Sequence, residues 1–462
     1  MKIAFVTLGC KLNYAETSTY ERGFREAGLE VVPWREKADI YLVNTCTVTE
    51  TANAKSRSEI RKLHRINPQA SIIVTGCYAQ MRPEEIRALE GVARVFGAAE
   101  KPLVVSETLL YAQTKDWSSC GLQGSVEVAA PQGRAARGPE AGGPSAQADG
   151  GVSEANSLRS SYLHGAPSTQ GNILPAYSSG ERTRSFLKVQ DGCNNFCAYC
   201  TVPYARGRSR NIPICQAVKQ AEEIAAKGIR EIVLTGVNTG DFGRSTGESF
   251  LDLLKALNEV KGIERYRISS IEPNLLTEEI VSWIASGTKF QPHFHIPLQT
   301  GTDIQLKRMG RRYTTEEFAS KLEMIRRIME KPGKEKVFFG IDVMVGLPGE
   351  NDELFRRTYA FLERVRPAFI HVFPYSKRPG TPAATMPDQV SETVKKARVA
   401  ELEGLCEKLH GEFVQANRGI RAEVLWESKE KGGSMSGYTG NYIRLSRPWD
   451  PALSGKITEE TI

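Results

Sequence analysis

What the chain lacks narrows its class first. No stretch of its 462 residues approaches the roughly 20 consecutive apolar residues that cross a bilayer as a helix. An ordinary helical membrane protein is therefore excluded. The apolar part of MKIAFVTLGCKLN is shorter than a secretory signal, and no small-residue cleavage site follows it. A cytoplasmic location is the expectation. A strong charge of one sign is missing too. The net charge of +7 permits an anionic partner such as RNA without demanding one. With 40% hydrophobic and 25% charged residues the composition is that of a soluble globular protein, long enough for two or three cores.

What is present is cysteine, nine of them. A reducing compartment and an odd count both argue against a disulfide framework, which leaves metal or cluster ligation as the first reading. Cys193, Cys197 and Cys200 stand within CNNFCAYC. Three thiolates in eight residues can wrap one iron–sulfur cubane on a loop and leave one iron without a protein ligand. Zinc is the rival, since Cys197 and Cys200 form a C-x-x-C pair. It would need a second pair of ligands, and downstream only Cys215 is near, alone on a helical stretch. Cys10, Cys46 and Cys77 each follow an apolar strand directly: KIAFVTLG, DIYLVNT and SIIVTG. At the carboxyl ends of parallel strands they would converge in the crevice where such sheets bind ligands. Three unrelated packing cysteines are the alternative. Cys120, Cys215 and Cys406 read as bystanders, the last two as packing residues on helices.

Strands alternate with helix-like stretches from residue 1 to about 115, which predicts a doubly wound parallel sheet with ARVFGAAE as a fourth strand. Between 121 and 180, Gly, Ala, Ser and Pro supply 35 of 60 residues. Such a segment cannot bury enough apolar surface to offset its chain entropy, so 116–182 is expected to be a linker or insert. From 183 to 415 the alternation returns. SFLKVQ, EIVLTG, YRISSIE, HFHIPLQ, VFFGIDVMVG and FIHVFPYS suggest six βα units, a partial (βα)6 barrel open on one side. VSETVKKARVAELEGLCEKLHGEFVQAN is a long amphipathic helix. From 416 to 462, RAEVLWES and NYIRLS flank a Gly-rich turn, the makings of a small β-barrel with its usual last strand missing.

The cluster loop resembles the radical S-adenosylmethionine (SAM) superfamily, whose motif is C-x-x-x-C-x-aromatic-C. TLGCKLNYAETS, VNTCTV, TGCYAQ, LKVQDGCNNFCAYCTVPYARGRSR, HIPLQTG and GLPGE together resemble its methylthiotransferase family, over most of the chain apart from the insert. TLGCKLNYAE and KVQDGCNNFCAYC are most similar to the branch that acts on N6-threonylcarbamoyladenosine in tRNA. Sister branches act on isopentenyladenosine in tRNA or on a ribosomal protein side chain.

The resemblance implies two 4Fe-4S clusters and SAM as cofactors. Cys193, Cys197 and Cys200 match the ligands of the SAM cluster, and Cys10, Cys46 and Cys77 those of an auxiliary cluster. Tyr199 would shield the first from water. Thr235, Gly236 and Asn238 in TGVNTG occupy the place of a segment contacting the methionine part of SAM, and Glu272 that of a ribose contact. Gln299 in HIPLQTG, where Thr300 replaces a usual Ser, and Gly346 with Gly349 and Glu350 in VGLPGE match further cofactor segments. Without the resemblance, Glu272 reads first as a surface carboxylate and TGVNTG as an ordinary turn. The implied chemistry is cleavage of SAM to a 5′-deoxyadenosyl radical, hydrogen abstraction from C2 of the adenine at position 37, and transfer of a methylated sulfur. No catalytic residue beyond the cluster ligands is implied.

Three basic clusters are candidates for RNA phosphate. They are Arg206, Arg208 and Arg210; Arg308, Arg311 and Arg312; and Lys55, Arg57, Arg61, Lys62 and Arg65 on one helix. Each alone reads equally as a solvated face. The C-terminal strands resemble a TRAM domain, a small RNA-binding barrel. The expected partners are the tRNA anticodon loop, an external electron donor and a sulfur donor, with the protein a monomer. A non-catalytic RNA-binding module with structural metal and an iron–sulfur electron carrier are the rivals of another class.

Overall fold

A computed structural model describes residues 1–114, 173–179, 183–244 and 246–462. Cys120 and most of the low-complexity stretch lie outside the described residues.

Five strands open the chain: β1 (Lys2–Thr7), β2 (Glu30–Val31), β3 (Ile40–Thr45), β4 (Ser71–Gly76) and β5 (Val92–Val95). All pair in parallel, in the order β2-β1-β3-β4-β5. Every residue of β3 is buried, as a strand covered on both faces requires. Alternate residues serve opposite layers. Ile40 and Leu42 pack with Tyr20 and Phe24 of the helix Lys11–Glu26. Tyr41 and Val43 pack with Ile60 and Leu63 of the helix Glu50–Ile66. This is a doubly wound order whose switch point lies between β1 and β3, where open sheets take their ligands.

Strand β6 (Ala176–Tyr177) pairs antiparallel with β7 (Arg184–Lys188), so part of the expected linker is a sheet edge. Arg22 holds it, its guanidinium 3.7 Å from the Tyr177 ring centroid and donating to the Tyr177 carbonyl. Two short strands, β8 (Gln190–Asp191) and β9 (Arg210–Asn211), pair antiparallel around the cysteine loop. β7, β10 (Glu231–Thr235) and β11 (Arg265–Ile268) form one parallel run. β12 (His293–Gln299), β13 (Phe338–Val345) and β14 (Phe369–Pro374) form another. Isolated parallel bridges, Tyr266 to Phe290 and Ser270 to His295, join the two. One apolar core underlies all six strands, from Leu187 through Leu234, Ile268, Ile296 and Ile341 to Ile370. The helix Glu392–Ala416 closes it with Leu402, Leu405, Cys406 and Leu409.

The chain ends in a four-stranded antiparallel sheet of β15 (Arg421–Trp426), β16 (Ser434–Thr439), β17 (Arg444–Pro448) and β18 (Ile457–Thr461). Their order is β17-β16-β15-β18. Two expectations are corrected here. SMSGYT, read within a Gly-rich turn, is a strand, because Met435 and the backbone of Gly437 pack on Trp426. The final residues also supply a strand, paired with β15 from Arg421–Thr461 to Leu425–Ile457. The sheet is anchored to the central domain by Arg267, which donates to the carbonyls of Gly440 and Thr439 at 2.7 and 2.8 Å.

Candidate radical SAM site

Cys10 caps the helix after β1, Cys46 follows β3, and Cys77 opens the short helix Cys77–Met81 after β4. Two glycines let these ends meet. Gly9 has φ +104°, and a Cβ there would stand 2.8 Å from Cys46 Cβ. Gly76 has φ +102°, and a Cβ there would stand 2.4 Å from the Thr45 carbonyl oxygen. No side chain fits either position. Asn13 ties the crevice, donating to the carbonyls of Leu8 and Thr45. Burial pushes the Cys46 thiol up to about 11; the Val48 backbone opposes this, and nearby Cys77 and Cys10 add to it.

The second triplet is held as tightly. Phe196 lies in the left-handed region at φ +47°, an uncommon conformation for an aromatic residue, which turns the loop between Cys193 and Cys197. Backbone N–H groups of Asn195 and Val202 point at the sulfurs of Cys193 and Cys200, at 3.5 and 3.4 Å. Arg311 Nη1 lies 3.1 Å from Cys197 Sγ. Burial raises the Cys193 thiol to about 12, with the Asn195 N–H opposing and Cys197, Glu272 and Asp241 adding. Tyr199 packs beside Met309, Leu347, Tyr375 and Ala383, an apolar wall against water.

Each triplet offers three free thiols, the donor type that an iron–sulfur cluster takes. Around the second triplet, the turn after β10 is locked to the cysteine loop by Gln190. Its Oε1 accepts from Val237 and Asn238 N–H, while its Nε2 donates to Gly192 O and Ser209. Asn238 Oδ1 accepts from the Glu272 N–H, and Asn238 Nδ2 is buried with no partner. An orphaned donor on a turn tied to the cysteine loop fits a polar ligand such as the carboxylate of SAM. Glu272 is buried and 2.7 Å from Arg311 Nη2, so it is not a surface carboxylate. Gln299 has φ +76° at a register shift of β12, so it too leaves the strand in a strained conformation. Thr235 is buried, its hydroxyl donating to Val233 O. Gly346 does not offer a donor to a nucleotide: its N–H is committed to Glu350 Oε1 at 2.7 Å, and a Cβ there would meet Lys395.

Several arginines are not where RNA would reach them. Arg206 is 3% exposed and bonded to Asp191 (2.9 Å), Glu16 (3.2 Å) and Asn13 (2.6 Å). Arg311 serves Cys197 and Glu272. The expectation of RNA contact from these two is corrected, because buried carboxylates and thiols claim them. Arg210 is half-buried on Asp191 and the Arg206 carbonyl, and Arg308 pairs with Asp388. Arg208 and Arg312 are exposed, as are Lys55, Arg61 and Arg65. Cys406 packs inside, accepting from Ile370 N–H, but Cys215 is exposed rather than a packing residue.

Three features escaped sequence reading. Glu16 and Asp191 are fully buried among Lys101, Lys188, Arg206 and Arg210, at 2.7 to 3.5 Å. This network joins the N-terminal domain to the central strands, and its Arg206 reaches to 4.0 Å from Cys10 Sγ. Burial disfavours the Arg206 charge, but Cys77, Asp191 and Glu16 outweigh it and hold its pKa well above the usual arginine value. A cavity of about 1240 Å³ separates Cys10 and Lys11 from Arg267, His293, His295 and His371 inside the central strands, with Tyr438 and Tyr442 of the C-terminal sheet at its wall. Within it His295 Nε2 lies 2.8 Å from Asp342 and its ring 5.1 Å from His371. Neither the three loop cysteines nor Glu272 lines it.

Comparison with known proteins assigns the class. The model of the family described as Uncharacterized protein family UPF0004 matches residues 2–97, and that of the Radical SAM superfamily matches residues 187–362. A radical SAM methyltransferase from Kitasatospora setae, TsrM, solved with cobalamin and a [4Fe-4S] cluster, shares the fold. Its TM-score is 0.55 at 15% identity, over 83% of this chain and 74% of that one. The fold and the cysteine-bearing loop thus define a radical SAM protein with a UPF0004 domain at its N-terminal side. The Bacillus subtilis threonylcarbamoyladenosine tRNA methylthiotransferase MtaB is 37% identical over 100% of this chain and 93% of its own length. The protein of that name from Aquifex aeolicus is 35% identical over 97% of each. A tRNA-2-methylthio-N(6)-dimethylallyladenosine synthase from Alkaliphilus oremlandii is 30% identical over 100% of this chain and 90% of its own. The chain belongs to the MtaB family of tRNA methylthiotransferases.

Proposed function

We propose that this protein methylthiolates C2 of N6-threonylcarbamoyladenosine at position 37 of tRNA. The observation that carries the reading is a pair of three-cysteine sites in a chain 37% identical, over its whole length, to an enzyme named for that substrate. Its cofactors are two 4Fe-4S clusters and SAM, the first cluster held by Cys193, Cys197 and Cys200 and the second by Cys10, Cys46 and Cys77. When bound, these groups supply reductive cleavage of SAM and a methylated sulfur for transfer.

The chain's own part is placement, charge and exclusion of water. Arg311 offsets thiolate charge at Cys197 and aims Glu272, whose carboxylate would accept from a ribose hydroxyl. Asn238 Nδ2, buried without a partner, would donate to the amino-acid end of SAM, and Gln190 fixes the turn that presents it. Thr235, Gly236 and Gln299 line the same strand ends. Arg206 brings positive charge to within 4.0 Å of Cys10 Sγ. The 1240 Å³ cavity exceeds the roughly 300–1,000 Å³ of a small-molecule pocket and admits an unstacked nucleotide. An anticodon loop supplies a base that can leave its stack.

The six parallel strands act as an open (βα)6 barrel in 183–415, behind the auxiliary-cluster domain of 1–115 and the insert of 116–182. The open sheet of 416–462 acts as a TRAM-like RNA contact. Arg208 and Arg312 meet tRNA phosphate. An external electron donor and a sulfur donor serve a monomer in the cytoplasm. The test is nucleoside analysis. Anaerobically reconstituted protein, SAM, sulfide and reductant are incubated with tRNA carrying threonylcarbamoyladenosine or isopentenyladenosine. Methylthiolation of the first supports the reading. Modification of the second alone, or of neither, overturns it.

A further inference from the structure

We propose that Lys11 reads the N6 substituent of the target base: its ammonium pairs with the carboxylate of the threonylcarbamoyl group and so selects that base over one with an uncharged arm. The inference rests on the tRNA reading above and names the residue that sets the substrate within it.

Lys11 follows Cys10 directly, and both line the cavity. Among the described residues Lys11 makes no ion pair and no hydrogen bond, and its exposed side chain lines the open cavity. The neighbouring cations are committed. Arg184 bonds Glu427 and the Tyr442 hydroxyl at 2.9 Å and lies 3.4 Å from Glu231. Arg267 bonds Glu231 at 2.8 Å and the carbonyls of Thr439 and Gly440. The carboxylates nearby are answered by other cations: Asp342 by His295 at 2.8 Å, Glu427 by Arg184 at 2.9 Å and Glu21 by Arg25 at 2.9 Å. Lys11 is thus an exposed cation facing the cavity, with no counter-ion among the described residues around it.

The substrate supplies one. A threonylcarbamoyl arm ends in the threonine carboxylate, whereas a dimethylallyl arm carries no charge. In adenine, N1 alone separates C2 from the carbon bearing N6. A base whose C2 faces the Cys10 site therefore sends its N6 arm along the neighbouring wall, where the next residue is Lys11. A carboxylate on that arm meets the Lys11 ammonium. A charge-assisted contact of this kind sets a preference of roughly ten-fold to a hundred-fold.

The test is a cycle of binding measurements on reconstituted protein. Fluorescence anisotropy compares two labelled anticodon stem-loops, one with threonylcarbamoyladenosine and one whose N6 carbamoyl arm ends in an isopropyl group. Wild-type protein is expected to prefer the charged arm by roughly ten-fold or more. Lys11→Gln should erase that preference while leaving affinity for the neutral arm unchanged, and Lys11→Arg should restore part of it. Iron is counted on each protein, with about eight per chain for two clusters. Equal weakening of both ligands by Lys11→Gln would mean a backbone phosphate contact and overturn the proposal. Loss of iron by both variants would mean a role in the Cys10 site and overturn it too, as would a preference that survives Lys11→Gln. Failure of wild-type protein to modify threonylcarbamoyladenosine is a separate result. It is read from nucleoside analysis and bears on the functional reading instead.

Discussion

Arg311 Nη1 stands 3.1 Å from the sulfur of Cys197. The same guanidinium reaches Glu272 at 2.7 Å, so one side chain couples the Cys197 thiol to the Glu272 carboxylate. Burial opposes its charge, yet Tyr199 and Cys197 hold its pKa well above the usual value. Arg311→Met keeps the volume and removes both contacts, leaving Glu272 buried and unpaired. SAM affinity should fall roughly ten-fold to a hundred-fold, the worth of a charge-assisted bond. Equilibrium dialysis with labelled SAM measures this, and the cluster's reduction potential should move with it. Unchanged SAM binding in a variant with full iron would remove Arg311 from the site.

Gly76 decides whether Cys77 can join Cys10 and Cys46. Gly76→Ala places a Cβ 2.4 Å from the Thr45 carbonyl and 2.5 Å from its nitrogen, at φ +102°. Backbone cannot yield there as a side-chain tip can. The substitution should cost on the order of 1–3 kcal/mol from the left-handed conformation alone. It should also reduce bound iron from about eight to about four per chain, since the loop of Cys193, Cys197 and Cys200 lies elsewhere. Reductive cleavage of SAM should persist while methylthiolation is lost. Retention of all the iron would show that Cys77 tolerates the shift.

Glu16 pairs with Lys101 at 2.7 Å within the N-terminal part and joins it to the central part through Lys188 at 2.9 Å and Arg206 at 3.2 Å. Burial would raise its pKa, but Lys101, Lys188 and Arg206 outweigh that and hold it well below the carboxylate range. A carboxyl with a depressed folded-state pKa adds stability above its unfolded value of about 4.3, and that stability fades as pH falls toward the folded value. Glu16→Gln should therefore cost about 3–5 kcal/mol near neutrality, because buried cations lose their partner. The gap between the two proteins in urea unfolding should be constant from pH 8 to 5 and narrow below 4. A gap independent of pH would assign the loss to packing.

The cysteine motifs stand out in the sequence because each signal is local. A strand that runs into Cys, or three Cys in eight residues, needs no knowledge of what packs against it. The strands of the parallel sheets were legible for the same reason, as runs buried on both faces such as IYLVNT. What failed were pairings set by the fold. Arg206 and Glu16 lie 190 positions apart, and nothing in RGRSR separates a buried arginine from an exposed one. SMSGYT has too few apolar residues to announce a strand, and ITEET reads as a polar tail until β15 pairs with it. Lys11 stood beside the first cysteine, yet its lack of a partner is a fact of the cavity.

The surface that meets tRNA should consequently be smaller than the arginine-rich motifs suggest. Arg208 and Arg312 are exposed on either side of the cysteine loop, and Arg312 Nη2 lies 3.5 Å from the Asn194 carbonyl. Each phosphate contact contributes close to one unit to the slope of log affinity against log salt. Arg208→Ala with Arg312→Ala should lower that slope by about two and weaken binding of modified and unmodified stem-loops alike, with iron content unchanged. Arg206→Ala should behave differently. It strips a buried cation from Asp191, Glu16 and Asn13, so unfolding should come first and any loss of tRNA binding should follow the loss of folded protein. Salt titrations of affinity beside thermal unfolding on the same samples distinguish the two. An unaltered salt slope in the Arg208 and Arg312 double variant would move the tRNA contact away from this face.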